Sequence, residues 1–165
     1  MASRNINDLL PCVRARALEF NRRCDESFFG MAVTVQIVCT YRDPAEQDCL
    51  YLQGRASIDV VNRARAIVKL PPIMMRENVI RTNARPGMSA HEYRCAFDAL
   101  AFENGRVIGR GDHPIYNSIG AIGEACGLEW SGRWKRGPGK IVEAAHFQYL
   151  GGLTIADLQK GKKPV

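Results

Sequence analysis

Apolar residues recur every three or four positions after Pro11, which predicts an amphipathic helix that runs to about Glu26. Its apolar face is formed by Val13, Ala17, Phe20 and Cys24. Pro11 suits the first turn of this helix, because a backbone N–H there has no partner within the helix. The next apolar stretch, Val33–Cys39, is rich in β-branched residues and predicts a strand.

A second helix is predicted by the start signal Asp43-Pro-Ala-Glu46, which offers an N-cap, a proline at the first helical position and an acidic third position. This helix should end at Gly54. The signals weaken after it. Ile58–Leu70 could form a helix that the following proline pair stops, and Asn83–Ser89 is typical of a loop.

A hairpin is predicted in the second half of the chain. Cys95–Phe102 suits a strand, Glu103-Asn-Gly105 is a tight-turn signal, and Arg106–Gly109 returns beside the first strand. Asp98 would therefore lie in the first strand of the hairpin.

Three further elements follow the hairpin. Asp112 is predicted to cap a helix that runs to Cys126 and ends at Gly127. His146–Tyr149 suits a short strand, and Thr154 is predicted to cap a short final helix. The glycine-rich connections before that strand are Trp130–Trp134 and Gly137–Gly139.

Composition adds limits to this picture. The 165 residues are expected to form one domain, 1–165, and the 46% hydrophobic and 24% charged content is ordinary for a globular protein. No apolar run approaches the roughly 20 residues of a membrane span, and the N-terminal Met-Ala-Ser-Arg lacks the apolar stretch of a secretory signal. We therefore expect synthesis in the cytoplasm.

The net charge of +6 favours an anionic partner, such as nucleic acid, anionic lipid or an acidic wall polymer. The basic residues are spread along the chain, which argues against nucleic acid. None of the six cysteines forms a CxxC pair, so a structural zinc finger is not expected. We expect reduced thiols that are mostly buried.

Four residues are candidates for a catalytic metal site. His91 and Asp98 could converge on one metal, although a histidine in a polar loop and an aspartate near a hairpin are the simpler explanation when this pair is taken alone. Glu143 and His146 could both reach one metal-bound water, or be an exposed glutamate and a half-buried strand histidine. The third histidine, His113, is interpreted as a solvent-facing turn residue.

The order of these motifs resembles a known family. Ser89-x-His91-x6-Asp98, then Trp130-x-Gly-x-Trp134, then Glu143-x-x-His146-Phe is similar to the pattern SxHxxGxAxD, WGGxW, (D/E)xxHFE of peptidase family M15. This group contains the VanY-like D-alanyl-D-alanine carboxypeptidases and the L-alanyl-D-glutamate endopeptidases, including small phage endolysins. Upstream, Cys39–Arg55 resembles the family's strand-then-helix segment, and Asn83–Gly87 resembles the loop before the first ligand. Counted from Pro11 to Tyr149, the resemblance covers most of the chain.

The resemblance implies a fold and a reaction. The fold would be α+β, with a small antiparallel sheet flanked by helices, like the Hedgehog/D-Ala-D-Ala peptidases. The protein would be a zinc peptidase that hydrolyses the peptidoglycan stem peptide. The favoured activity is that of an L-alanyl-D-glutamate endopeptidase that acts as a phage endolysin. The alternatives are a D-alanyl-D-alanine carboxypeptidase and a non-catalytic wall-binding domain. We also expect a monomer that binds no nucleic acid and contacts the wall or an anionic membrane weakly.

The resemblance also implies roles for single residues. His91, Asp98 and His146 would bind one Zn²⁺, and Glu143 would be the general base. Arg42 would hold a substrate carboxylate or the developing oxyanion, unless it is a surface arginine beside a helix N-terminus. The remaining two, Ser89 and Gln47, would position the loop or the substrate. Trp130 and Trp134 could line a substrate groove or form a packed hydrophobic cap.

The chain departs from the family pattern at three positions. Arg94 replaces a glycine, which matters because arginine resists a positive φ more than glycine does. Ser131 replaces the first glycine of WGG. Gln148 replaces a glutamate, which keeps a hydrogen bond to a ligand histidine feasible but removes a charge.

Overall fold

The computed structural model describes residues 2–109, 111–134 and 141–165. Within them the helices are α1 (Pro11–Ser27), α2 (Pro44–Leu52), α3 (Ile58–Ile67), α4 (Ile115–Ala125) and α5 (Ile155–Gln159). The strands are β1 (Val33–Cys39), β2 (Ala96–Glu103), β3 (Arg106–Val107), β4 (Glu129–Trp130) and β5 (His146–Gln148). The predicted α+β class, with a small antiparallel sheet flanked by helices, is confirmed.

The sheet is antiparallel throughout, in the order β1-β2-β5-β4, with β3 paired to β2 as the return of the hairpin. The predicted turn connects β2 to β3, and its Asn104 and Gly105 both have positive φ, at 49° and 75°. Two successive residues with positive φ give the twist that a two-residue hairpin turn requires.

The main core lies between one face of the sheet and helices α1 and α4. The rings of Phe20 in α1, Phe97 in β2 and Phe147 in β5 pack together with centroids 4.9–5.5 Å apart. Each strand alternates its side chains between two faces, so the neighbours of Phe97 and Phe147 point away from this core. The opposite face of β2 and β5 is therefore free to carry polar groups.

Most predicted elements are confirmed. All four residues of the predicted apolar face of α1 are buried, Asp43 accepts a hydrogen bond from Glu46 N at 3.0 Å, and Thr154 caps α5 through Asp157 N. Helix α3 ends at Ile67, whereas the prediction extended it to Leu70.

The predicted N-cap of α4 is wrong. The helix begins at Ile115 with Pro114 as N-cap, three residues after Asp112. The physical reason is Pro114, because a residue that precedes proline is disfavoured in the α conformation, which keeps His113 out of the helix.

The predicted connection Gly137–Gly139 lies outside the described residues. In the described part of the chain, no helix is long and apolar enough to cross a membrane.

Candidate metal centre

Two candidate ligands come from neighbouring strands. Asp98 in β2 and His146 in β5 are directly opposite each other in the antiparallel register. Directly opposed residues on one face place their Cβ atoms about 4.5–5.5 Å apart. The register of these strands therefore brings together two residues that are 48 positions apart in the chain.

The third candidate, His91, comes from the short 3-10 turn Ala90–Tyr93 just before β2. Arg94 ends this turn with φ 61°, and its N–H donates to His91 O at 3.2 Å. This left-handed residue turns the chain into β2, so that His91 lies over Asp98. The family's glycine has no Cβ penalty at such a position, whereas arginine has one.

The ligand atoms of these three residues form a compact triangle. His91 Nε2 lies 3.1 Å from Asp98 Oδ1 and 3.1 Å from His146 Nδ1, and the third edge, from His146 Nδ1 to Asp98 Oδ1, is 3.3 Å. A tetrahedral zinc ion with bonds of about 2.0–2.1 Å separates its ligand atoms by about 3.3–3.4 Å. The triangle therefore fits a metal ion with two nitrogen ligands and one oxygen ligand.

The outer nitrogen of each imidazole has a hydrogen-bond acceptor. His91 Nδ1 is 3.0 Å from Thr40 O, and His146 Nε2 is 3.2 Å from Gln148 Oε1. These acceptors favour the tautomers that carry the proton on the outer nitrogen, which leave a lone pair on each inner nitrogen. In these tautomers, two ring nitrogens and Asp98 Oδ1 present lone pairs to one point, which is an arrangement that a cation stabilises.

The pKa shifts of the three groups come from their burial and from their contacts with neighbouring side chains. Burial opposes ionisation of Asp98, but the two histidines outweigh it and hold the pKa of Asp98 well below its usual range. Burial lowers the pKa of His91. Burial also disfavours the charged form of His146, but its hydrogen bond to Asp98 and the carboxylate charge raise the pKa of His146.

Arg42 is buried, contrary to the alternative of a surface arginine. Its Nη2 donates to Asp98 Oδ2 at 3.0 Å and its Nη1 donates to Gln47 Oε1 at 2.9 Å. Asp98 can therefore offer Oδ1 to a metal while Oδ2 is held. Arg42 also lines the cleft, and its buried Nε has no hydrogen-bond partner among the described residues.

Gln47 and Ser89 support the loop that precedes His91. Gln47 is fully buried and its Nε2 donates to Ala84 O at 2.8 Å. Ser89 N donates to Glu92 Oε2 at 3.1 Å, and Glu92 N returns a bond to Ser89 O at 3.1 Å. Both residues contact the backbone of this loop, and their roles in positioning the loop or the substrate stay predictions.

Glu143 lies at the wall of the same cleft and is held from one side. Its Oε1 accepts hydrogen bonds from Asn83 N at 2.9 Å and Asn83 Nδ2 at 2.6 Å. Ser131 Oγ donates to the backbone oxygen of Glu143. Ser131 thus replaces a family glycine with a side chain that fixes the segment carrying the candidate base.

Cys39 is a neighbour of the site that the sequence did not single out. Its Sγ, one His91 nitrogen and one Asp98 oxygen lie within 4.8 Å of one another, so these three residues form a second potential metal set. However, Cys39 Sγ is 3.7 Å from His91 Nδ1, the nitrogen that faces Thr40 O, and burial raises the thiol pKa to about 12. The set with His146 is the better candidate because it leaves the outer-nitrogen hydrogen bonds to Thr40 O and Gln148 Oε1 in place.

The candidate centre opens into a cleft of about 920 Å³. Trp134 lines it, 42% exposed, with its ring centroid 5.6 Å from that of His146. Trp130 is buried instead and its Nε1 donates to Ala144 O at 2.7 Å. The two predicted roles are therefore divided, with Trp130 in the packed cap and Trp134 at the cleft.

His113 is exposed, and its Nδ1 accepts a hydrogen bond from Ile115 N.

Comparison with known proteins identifies similar chains. Residues 82–149 match a peptidase M15 family model described as D-alanyl-D-alanine carboxypeptidase. This segment contains all three candidate ligands and Glu143.

Solved structures share the fold. The L-Ala D-Glu endopeptidase ChiX of Serratia marcescens is 20% identical, with a TM-score of 0.51 over 96% of this chain and 92% of that one. The L,D-carboxypeptidase DacB from Streptococcus pneumonia is 17% identical, with a TM-score of 0.52 over 94% and 73%. The LdcB LD-carboxypeptidase is 18% identical, with a TM-score of 0.53 over 94% and 72%.

Proposed function

We propose that this chain is a peptidase of the M15 family and a zinc-dependent hydrolase of the peptidoglycan stem peptide, which the family match over residues 82–149 and the shared fold support. The observation that carries the proposal is the triangle of ligand atoms from His91, Asp98 and His146, with edges of 3.1–3.3 Å, at the wall of an open cleft. Three protein ligands and an open position characterise catalytic zinc sites.

The chemistry divides between the metal and Glu143. A bound zinc ion polarises a carbonyl and lowers the pKa of a bound water to about 7. Glu143 would take the proton from that water and deliver it to the leaving amine. Both hydrogen bonds from Asn83 go to Oε1, so Oε2 is the oxygen that we assign to proton transfer.

The cleft suits an acidic peptide. Arg42, Arg81 and Arg85 all line it. Arg85 Nε donates to Tyr51 Oη at 3.1 Å, and neither Arg81 nor Arg85 forms an ion pair within the described residues. Unpaired guanidinium groups attract carboxylates, and the net charge of +6 favours approach to an anionic polymer.

Among stem-peptide bonds, we favour the one between L-alanine and D-glutamate. The chain spans 92% of the L-Ala D-Glu endopeptidase ChiX but about three quarters of the two carboxypeptidase chains, which supports this choice. The runner-up is a D-alanyl-D-alanine carboxypeptidase with the same metal and base. Its terminal substrate carboxylate would need a cation, which the arginines of the cleft offer.

The biological setting that we propose is phage-induced lysis, in which the protein reaches the wall after release across the inner membrane. This part follows from the resemblance to small phage endolysins. A test is production in bacterial cells with and without permeabilisation of the inner membrane. Rapid lysis only after permeabilisation supports the proposal, whereas intact cells after permeabilisation contradict it.

The decisive experiment for the reaction is digestion of purified peptidoglycan, followed by mass analysis of the fragments. New N-terminal D-glutamate is the expected result. Released D-alanine would replace the endopeptidase with the carboxypeptidase, and zinc binding without any cleavage would identify a wall-binding domain. Glu143→Gln protein serves as the control, since it keeps the metal ligands and lacks the base.

A further inference from the structure

The side chain of Gln148 lies between the candidate ligand His146 and a second carboxylate. His146 Nε2 donates to Gln148 Oε1 at 3.2 Å, and Gln148 Nε2 donates to Glu129 Oε2 at 2.9 Å. Glu129 and Gln148 are direct partners on β4 and β5, and Gln148 is only 8% exposed. The strand pairing thus builds a short chain of hydrogen bonds from the exposed Glu129 through Gln148 to the imidazole of His146.

The direction of this chain depends on the orientation of one amide group. A glutamine amide has a donor end and an acceptor end, and rotation by half a turn exchanges them. If the NH₂ group of Gln148 faced His146, it would favour the proton on Nδ1, the nitrogen that faces Asp98 and His91. A carboxylate only accepts hydrogen bonds, so Glu129 selects the orientation in which the NH₂ group points away from His146.

We propose that Glu129 is a positioning residue for the metal centre. It fixes the amide of Gln148, Gln148 accepts from His146 Nε2–H, and the lone pair of His146 Nδ1 is kept for the metal. The inference rests on the metal site of the proposed function. The family pattern has a glutamate at position 148. In this chain position 148 is a glutamine, and the carboxylate belongs to Glu129, its partner on the neighbouring strand.

The first test measures zinc affinity by competition with a chromogenic chelator. Glu129→Ala is expected to weaken zinc binding about ten-fold, at the low end of the effect of removing an outer partner of a ligand histidine. Glu103→Ala is the matched control, since Glu103 is also exposed and lies at the far end of β2. It should bind zinc like the wild type.

The second test is rescue. In Glu129→Ala/Gln148→Glu protein, a carboxylate at position 148 accepts directly from His146 Nε2–H without a second carboxylate beside it. Zinc affinity should return to the wild-type value. In proton NMR of the zinc-loaded proteins, the hydrogen-bonded Nε2–H of His146 should resonate downfield in the wild type, weaken in Glu129→Ala and reappear in the double variant.

The outcomes separate the two proposals. Wild-type zinc affinity and an unchanged Nε2–H resonance in Glu129→Ala would overturn the role of Glu129, as would a folded double variant that does not recover. A wild-type protein that binds no zinc would overturn the metal site itself and, with it, the proposed function. Thermal unfolding of every variant confirms that the fold is retained, which the exposed position of Glu129 favours.

Discussion

The chemistry of the candidate centre depends on which nitrogen of each histidine carries a proton. Thr40 O fixes this choice for His91 and Gln148 Oε1 fixes it for His146, so both inner nitrogens present lone pairs beside Asp98 Oδ1. Of these partners only Gln148 is visible in a motif. A backbone carbonyl such as that of Thr40 carries no residue signature, and only the folded chain reveals it.

The metal-ligand roles are tested first with His146→Ala. Purified wild-type protein is expected to contain close to one zinc ion per chain, and the variant should contain almost none because only two ligands remain. His113→Ala removes an exposed histidine outside the centre and should retain the metal. Full zinc occupancy of His146→Ala in elemental analysis would contradict the assignment.

Glu143→Gln tests the general base. The amide still offers an oxygen to Asn83, so the fold and the zinc content should be unchanged. The rate of stem-peptide cleavage should fall by about 10²–10⁴, which is the usual contribution of a general base. Comparable turnover by the variant and the wild type would assign proton transfer to another group, and Glu103→Gln provides a surface control.

Arg94 is the departure from the family pattern that the structure explains best. It adopts the left-handed conformation of the expected glycine, and its side chain reaches Asp8 O at 3.1 Å and lies 4.6 Å from the Tyr41 ring centroid. A left-handed non-glycine residue costs about 1–2 kcal/mol. These contacts offset part of that cost, so the turn before β2 keeps its shape without glycine.

At the scale of elements, the site depends on how closely α4 packs on the sheet. A Cβ at Gly123 would lie 2.4 Å from Phe147 Cε1, so the helix backbone rests directly on the ring. Phe147 stands between His146 and Gln148 in β5. The small residue on α4 therefore sets the position of the strand that carries the last ligand.

Gly123→Ala is expected to destabilise the protein. Overpacking of a core costs about 1–3 kcal/mol, against which the better helix propensity of alanine returns up to about 1 kcal/mol. Ser118→Ala, at an exposed position of the same helix, should change the free energy of unfolding by less than about 0.5 kcal/mol. Urea unfolding measures both, and a Gly123→Ala protein as stable as the wild type would contradict this packing.

At the scale of the whole molecule, the centre joins segments that are far apart in the chain. The loop at Asn83, the turn at His91 and the strand at His146 meet around one cleft. A metal that bridges β2, β5 and the preceding turn binds the folded state and has no such site in the unfolded chain. Binding should therefore stabilise the fold as a whole.

Metal removal tests this coupling. Zinc at about one hundred times its Kd contributes about 2.7 kcal/mol, which raises the Tm of a protein of this size by roughly 5–10 °C. Chelation should lower the Tm by the same amount and added zinc should restore it. His146→Ala protein should show no such shift, and an equal shift in that variant would place the stabilising ion elsewhere.

Local patterns predicted most of the helices and strands and the candidate residues, but not strand β4 or the start of α4. Helix α1, strand β1, the cap at Asp43 and the hairpin turn at Asn104-Gly105 are all specified by neighbours within a few positions. The order of the histidine and carboxylate motifs pointed to the metallopeptidase family. The start of α4 was missed because the constraint of Pro114 on His113 outweighed the capping signal of Asp112.

Tertiary structure decided what the candidate residues do together. Spacing of seven residues does not bring His91 to Asp98; the left-handed turn at Arg94 does. The pairing of Asp98 with His146 follows from the β2–β5 register, and the support from Thr40, Asn83 and Glu129 follows from three-dimensional contacts. The physical reason is that secondary-structure signals act over a few residues, whereas a metal centre requires atoms to meet within a few ångströms across the whole chain.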